Sequence, residues 1–168
     1  SSAASDVYKR QVQVDRERFK RVQSDPINLK SPEAKKITRR LNSRYRVVVE
    51  RFPDLSFLKE LDKRIGQIPE SLALAQAAKE SGWGTSRFAF EGNALFGQYV
   101  WGNDENGIVP TERKNNEVFS IKAFSNLRES VASYMLNLNS NHHYNEFRNN
   151  RFILKNTEQK ISGIHLAE

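Results

Sequence analysis

Cysteine is absent from the 168 residues. Neither a disulfide nor a thiolate metal site is therefore available, and thiol usage says nothing of redox compartment. No apolar run approaches the ~20 residues that a helix needs to cross a bilayer. The first residues lack the shape of a signal peptide, so a signal for export would lie outside this chain. Internal repeats, low-complexity tracts and interdomain linkers are also missing. What is left is a single domain, long enough for a sizeable core. The opening stretch "SSAASDVYKRQ" (1–11) shows no apolar periodicity and reads as a leader-like segment outside the fold.

Charge is present but unevenly spread. The formal net charge is +7, and residues 1–46 hold 13 Lys/Arg against 5 Asp/Glu, whereas residues 47–168 hold 14 against 15. A basic surplus concentrated at one end favours anionic partners: nucleic acid, a membrane surface or a polyanionic polymer. A solvated helical face explains the same surplus and is the commoner case.

The pattern is mostly helical. Residues 12–24 read as an exposed, charged helix, and 12–31 as a basic helix with its linker. "SPEAKK" is a helix start, with Ser31 as N-cap, Pro32 first and Glu33 in the first turn. Ile37, Leu41, Tyr45, Val48 and Phe52 continue one apolar stripe until Pro53. A short helix follows, with Leu55, Leu58, Leu61 and Ile65 on one face. Pro69-Glu70 opens a helix ending near Glu80, whose leucines and alanines make it apolar nearly all round and so predict burial. "EGNALFGQYVWGNDENG" (91–107), rich in Gly, Asn and aromatics, suits a loop lining a cleft. Residues 108–123 read as a short β-hairpin. Helix returns after Ser125 or Asn126 with Leu127, Val131, Tyr134, Met135 and Leu138 on one face, and another runs from Tyr144 through Phe152.

Glu80 stands out in "AAKESGWGTSRFA" (77–89). The C-terminal end of a helix carries partial negative charge, so an acid in its last turn is electrostatically disfavoured. Burial at such a helix end would favour the protonated form as well, which is what a general acid near neutral pH needs. A surface glutamate paired with lysine is the bland alternative. The Gly-Trp-Gly that follows weighs against it, because Gly82 and Gly84 permit sharp turns and Trp83 offers a flat face that stacks on sugar rings.

"AQAAKESGWGTSRFA" followed by "GNALFGQY" resembles the glucosaminidase domain of glycoside hydrolase family 73, peptidoglycan hydrolases, with a flavour of the Bax-type envelope subgroup. "GIVPTER", "EVFSIKAFSNLRESVASYMLNLNS" and "HHYNEFR" extend the likeness, which covers roughly residues 35–168. The resemblance implies a mainly α, lysozyme-like fold: a helical lobe, a small β-hairpin lobe and a glycan cleft between them, the catalytic domain occupying 32–168. It implies cleavage of the β-1,4 bond after N-acetylglucosamine, without cofactor, at the bacterial envelope; a monomer is expected. Glu80 falls on the family's catalytic acid. Asn93, Leu95, Phe96 and Gly97 match its cleft motif, with Asn93 as an N-acetyl or backbone contact. Tyr134 matches an aromatic position bordering the family's active site, and core packing explains it equally well.

Glycosidases usually employ two carboxylates, about 5–5.5 Å apart when retaining and about 6.5–9.5 Å apart when inverting. The family's second acid lies on the hairpin before its turn, which puts Glu112 first and Glu117 as its rival, ahead of Asp104 and Glu105. Catalysis by Glu80 with the substrate's own N-acetyl group is the alternative. Relatives continue beyond "ISGIHLAE", so the C-terminal end is expected to be incomplete. His142-His143 has no acidic partner at metal-ligand spacing, and no metal is assigned. Two other function classes stay in view. One is a non-catalytic glycan-binding module on the same fold. The other is a basic-surface protein for membranes or nucleic acid, although no nucleic-acid motif is present and the aromatics sit in the near-neutral part of the chain.

Overall fold

Helix α1 (Ser2–Gln23) is the longest element of the computed structural model, which describes residues 2–47, 54–80, 82, 85–94, 96, 98–101, 107–108 and 119–157. It is neither a leader nor an exposed helix. Ser5, Tyr8, Val12, Asp15, Phe19 and Val22 are all buried, and their alternating three-four spacing is one continuous helical stripe. Two polar members, Ser5 and Asp15, interrupt that stripe in the sequence and hide its period. Each is partnered inside the protein. The Ser5 hydroxyl donates to Glu70 at 2.8 Å, and Asp15 accepts from the Tyr45 hydroxyl at 2.8 Å and lies 3.2 Å from the Arg44 guanidinium. The N-terminal segment therefore belongs to the core.

Helix α2 (Pro32–Tyr45) begins as its sequence predicts, with the Ser31 hydroxyl accepting from the Ala34 amide at 3.2 Å. It stops earlier than predicted. Arg46 takes a left-handed φ of 55° and its amide donates to the Asn42 carbonyl at 2.7 Å, ending the helix ahead of three β-branched valines. Val48, Phe52 and Pro53 lie outside the described residues. Helix α3 (Leu55–Arg64) is capped by Asp54, which accepts from the Phe57 amide at 2.8 Å. Its buried face is Phe57, Leu58 and Leu61, and Leu55 is turned to solvent. Then come α4 (Glu70–Glu80) and the short α5 (Arg87–Gly92). Helix α6 (Leu127–Ser140) starts with a reciprocal cap. Asn126 accepts from the Glu129 amide at 2.9 Å, and the Glu129 carboxylate accepts from the Ser125 amide at 3.3 Å. A single turn at His142–Tyr144 leads into α7 (Asn145–Asn156).

Residues Tyr99–Trp101, read from sequence as loop, form strand β1. With β2 (Gly107–Ile108) and β3 (Phe119–Lys122) it makes an antiparallel sheet in the order β1-β3-β2. The expected hairpin is therefore present as β2–β3, and β1 pairs with the other edge of β3, Val100 opposite Ser120. The fold is mainly α-helical with one small sheet.

Several helices end inside the protein, where the last carbonyls have no water to bond. Three buried arginines supply the missing donors. Arg64 donates to the carbonyls of Tyr45, Arg46 and Ser140, at the ends of α2 and α6. Arg148 donates to Leu138 and Asn141 carbonyls at the end of α6. Arg151 donates to the Lys63 carbonyl at 2.8 Å, to Gln67 at 3.2 Å and to the Asn139 side chain at 2.7 Å. A cation at a helix C-terminus also meets the negative end of the helix dipole. Asn139 passes the network on: its amide donates to the Gly66 carbonyl at 2.8 Å and to the Tyr8 hydroxyl at 2.6 Å. One buried polar chain thus joins α1, α6, α7 and the α3–α4 connection.

Candidate active site

Helix α4 delivers Glu80. Its N-terminal turn is held by the Pro69 carbonyl, which accepts from the Leu72 and Ala73 amides. Its C-terminus is closed by Gly82, whose φ of 56° lies in the left-handed region that favours glycine. The Gly82 amide donates to the Lys79 carbonyl at 3.4 Å, and the Thr85 hydroxyl donates to the Gly82 carbonyl at 2.6 Å. The glycine after the acid is thus a helix stop, as its position predicts.

The helix is not buried all round. Leu72 and Ala73 face the core, but Leu74 is half exposed, and Ala75, Lys79 and Glu80 face solvent. Alanines at the remaining positions are too small to force a helix inward by the area they bury. The burial expected for Glu80 is not found; its carboxylate is open to water.

Two tyrosines lie within electrostatic reach of it. Tyr134, on α6, is buried, and Tyr144, in the turn before α7, is half buried. Burial pushes both phenols above the usual tyrosine range. The Tyr144 phenol and then the Glu80 carboxylate add to the effect on Tyr134, and Glu80 adds to the effect on Tyr144. Both phenols therefore keep their protons and remain donors. Sequence reasoning named Tyr134 and missed Tyr144. Within "HHYNEFR" it looked like one more residue at a helix start, and only the packing of that turn brings it to Glu80.

Phe96 stacks on Tyr134, ring centroids 3.9 Å apart and planes 4° from parallel. At 8% exposure it backs Tyr134 and is not the open groove wall that its motif predicts. The segment carrying Phe96 is fastened on both sides. The Asn93 side-chain amide donates to the Phe124 carbonyl at 3.0 Å, the Phe124 amide to the Gly92 carbonyl at 2.8 Å, and the Lys122 amide to the Gln98 carbonyl at 2.7 Å. The Ser133 hydroxyl, one residue from Tyr134, donates to the Gln98 side chain at 3.0 Å. Asn93 itself has a φ of 49°, a conformation that asparagine tolerates better than most residues. Its amide is thus engaged with the Phe124 carbonyl, just beyond the end of β3; sequence reasoning assigned it an N-acetyl or a backbone contact. A shallow groove of about 500 Å³ lies alongside, lined by Lys122, Phe124, Glu129 and Ser133.

The structure stacks Phe96 on Tyr134 and sets Tyr134 and Tyr144 within electrostatic reach of Glu80. Trp83, Leu95, Gly97, Asp104, Glu105, Glu112 and Glu117 lie outside the described residues. The rings of His142 and His143 lie 4.0 Å apart, and both side chains are exposed. Among the described residues no three histidines or carboxylates gather as a metal site.

Comparison with known proteins matches residues 56–165 to the glucosaminidase family model, described as mannosyl-glycoprotein endo-beta-N-acetylglucosaminidase. The chain is 35% identical over 102 residues to Protein bax of Escherichia coli (strain K12), a match covering 60% of this chain and 35% of that protein. The matched stretch thus spans about a third of the relative's length. No solved structure matches.

Proposed function

Because this chain belongs to the glucosaminidase family, we propose that it hydrolyses peptidoglycan, cutting the β-1,4 bond after N-acetylglucosamine with Glu80 as general acid. The observation that carries this reading is the company Glu80 keeps. A solvent-facing carboxylate ends a helix beside two tyrosines, and its charge acts on both phenols. A glycan laid over that surface is held against the Glu80 carboxyl and screened there from bulk water. The protonated carboxyl then gives its proton to the glycosidic oxygen as the bond to the anomeric carbon breaks.

Positive charge develops at the sugar ring in that step, and a water molecule completes the hydrolysis by bonding to the anomeric carbon and giving a proton back to Glu80. Glu112, or Glu117 as its rival, supplies the second carboxylate, or the substrate's N-acetyl oxygen takes that part. Tyr134 and Tyr144 donate hydrogen bonds to the glycan or to Glu80, Phe96 holds the Tyr134 ring in place, and Trp83 stacks on a sugar. Asn93 braces the segment that carries Phe96 through its bond to Phe124, and Gly97 contacts the glycan. The reaction requires no cofactor. The substrate places the protein at the bacterial envelope, acting as a monomer.

The test uses purified sacculi. The unmodified protein is expected to create new reducing ends that are N-acetylglucosamine, and Glu80→Gln to lower their rate by at least ~10²-fold, the low end for general acid catalysis. Because Glu80 is exposed, the variant should melt with the parent. Cleavage by Glu80→Gln at the original rate overturns the mechanism. Binding without cleavage by the parent protein makes it a glycan-binding module instead.

A further inference from the structure

A second concave surface is lined by none of the residues around Glu80. It lies between α1, the end of α3 and α7, has a volume of about 870 Å³, and is floored by Val12, Ile65 and Phe152. Five cations line it (Arg16, Lys20, Lys63, Arg151 and Lys155) against two carboxylates, Glu17 and Asp62. The arginines are already engaged. Arg16 pairs with Asp62 and donates to the Asp62 and Ile65 carbonyls, and Arg151 is spent on the carbonyls described above. The three lysines have no carboxylate partner among the described residues. They come from three different helices and converge on one groove.

We propose that this groove is a binding site for the phosphate group of an anionic ligand, distinct from the glycan-cleaving site. Lysine ammoniums act as point charges with three rotatable donors each, and three of them can meet the several oxygens of a phosphate, where a carboxylate offers only two. The available cations here are lysines. The volume falls within the ~300–1,000 Å³ of small-ligand pockets, so it admits a phosphate and an adjoining apolar portion and not a nucleic-acid duplex. The Phe152 ring, 6.0 Å from the Lys63 ammonium, supplies apolar contact beside the charge.

Cations outnumber carboxylates in this groove five to two. Burial keeps the Lys155 ammonium below the usual lysine range, and Arg16, Arg151 and Lys20 push it the same way against the opposing pull of Asp62. An anion seated among these groups relieves that repulsion. The basic surplus of the N-terminal segment thereby acquires a place: Arg16 and Lys20 of α1 face this groove, while Lys35 and Lys36 of α2 are exposed elsewhere.

The experiment titrates the full chain with inorganic pyrophosphate by calorimetry, then with vesicles of phosphatidylglycerol or of phosphatidylcholine. One saturable pyrophosphate site is expected. Lys20→Gln/Lys155→Gln should weaken it by ~10-fold or more, since a hydrogen bond to a charged group is worth about that factor. Lys63→Gln alone should weaken it less, and Lys35→Gln/Lys36→Gln should leave it unchanged. Phosphatidylglycerol binding that pyrophosphate displaces identifies a lipid headgroup as the natural source. Pyrophosphate binding without vesicle binding identifies a soluble phosphate compound. No saturable binding, or equal weakening by the groove pair and the α2 pair, overturns the site in favour of a diffuse basic surface.

Discussion

Gly66 is the residue on which the buried polar chain can be tested most directly. A Cβ added there would fall on the Arg151 guanidinium, inside van der Waals contact with its carbon and two of its nitrogens. The backbone offers no objection, since Gly66 is not in the left-handed region. Elsewhere a Gly→Ala change at such a site stabilises by ~0.4–1 kcal/mol, through the entropy of the unfolded chain. Here the steric effect should win. Arg151 is 4% exposed, its guanidinium is bonded to Lys63, Gln67 and Asn139, and it has nowhere to withdraw. Losing or distorting two of those three bonds, at ~1.5–3 kcal/mol for each bond to a charged group, gives a net cost of ~3–5 kcal/mol. In a chain of this size that is roughly a 10 °C fall in Tm. The assay is urea denaturation of Gly66→Ala, Arg151→Met and the double variant. Arg151→Met is expected to cost a similar amount, because it leaves helix-end carbonyls unsatisfied. The double variant should cost far less than the sum, since the obstacle to the methyl group has gone. A Gly66→Ala protein within ~1 kcal/mol of the parent, or strict additivity in the double variant, refutes the account of this network.

Three further outcomes are expected. Tyr8, Tyr45 and Tyr134 have phenols raised above their ordinary value of 10.0, in each case first by burial. The stability they contribute is complete below about pH 10, where the unfolded chain also keeps its phenols protonated, and is lost as pH rises beyond it. Phenolate absorbance and loss of helical circular dichroism should therefore rise together, and early titration of these phenols in a folded chain refutes this. Asn93→Ala, which loses the bond to Phe124 and strains a positive φ, should destabilise by ~1–3 kcal/mol, and Asn93→Gly by less; if instead both variants keep full stability and lose only sacculus cleavage, Asn93 contacts the glycan. Removal of residues 1–11 deletes Tyr8, with its bonds to Met135 and Asn139, together with the Ser5 and Lys9 contacts to Glu70. The truncated chain should lose cooperative unfolding in urea, and a melt matching the parent would return those residues to the status of a leader.

Local chemistry determined much of this protein. Ser31, Asp54 and Asn126 announce helix starts because a side-chain oxygen beside a free amide acts within one turn, and Gly82 marks the end of α4 for the same local reason. The motif around Glu80 was likewise readable, as was the family it resembles, because that signal is a contiguous string. What tertiary structure decided is whatever depends on partners far along the chain. The role of α1 was hidden because Ser5 and Asp15 read as surface residues until Glu70, Tyr45 and Arg44 supply their bonds. Arg64, Arg148 and Arg151 look like ordinary surface charge in sequence, yet each is buried because carbonyls at the ends of distant helices need a donor. Glu80 was expected to be buried on the strength of its alanines, but exposure is set by what packs against a helix, and among the described residues Leu74, Ala75, Lys79 and Glu80 are left facing solvent. Tyr144 joins the site for the converse reason: the turn after α6 folds back beside a carboxylate 64 residues earlier in the chain, a proximity that no local pattern encodes.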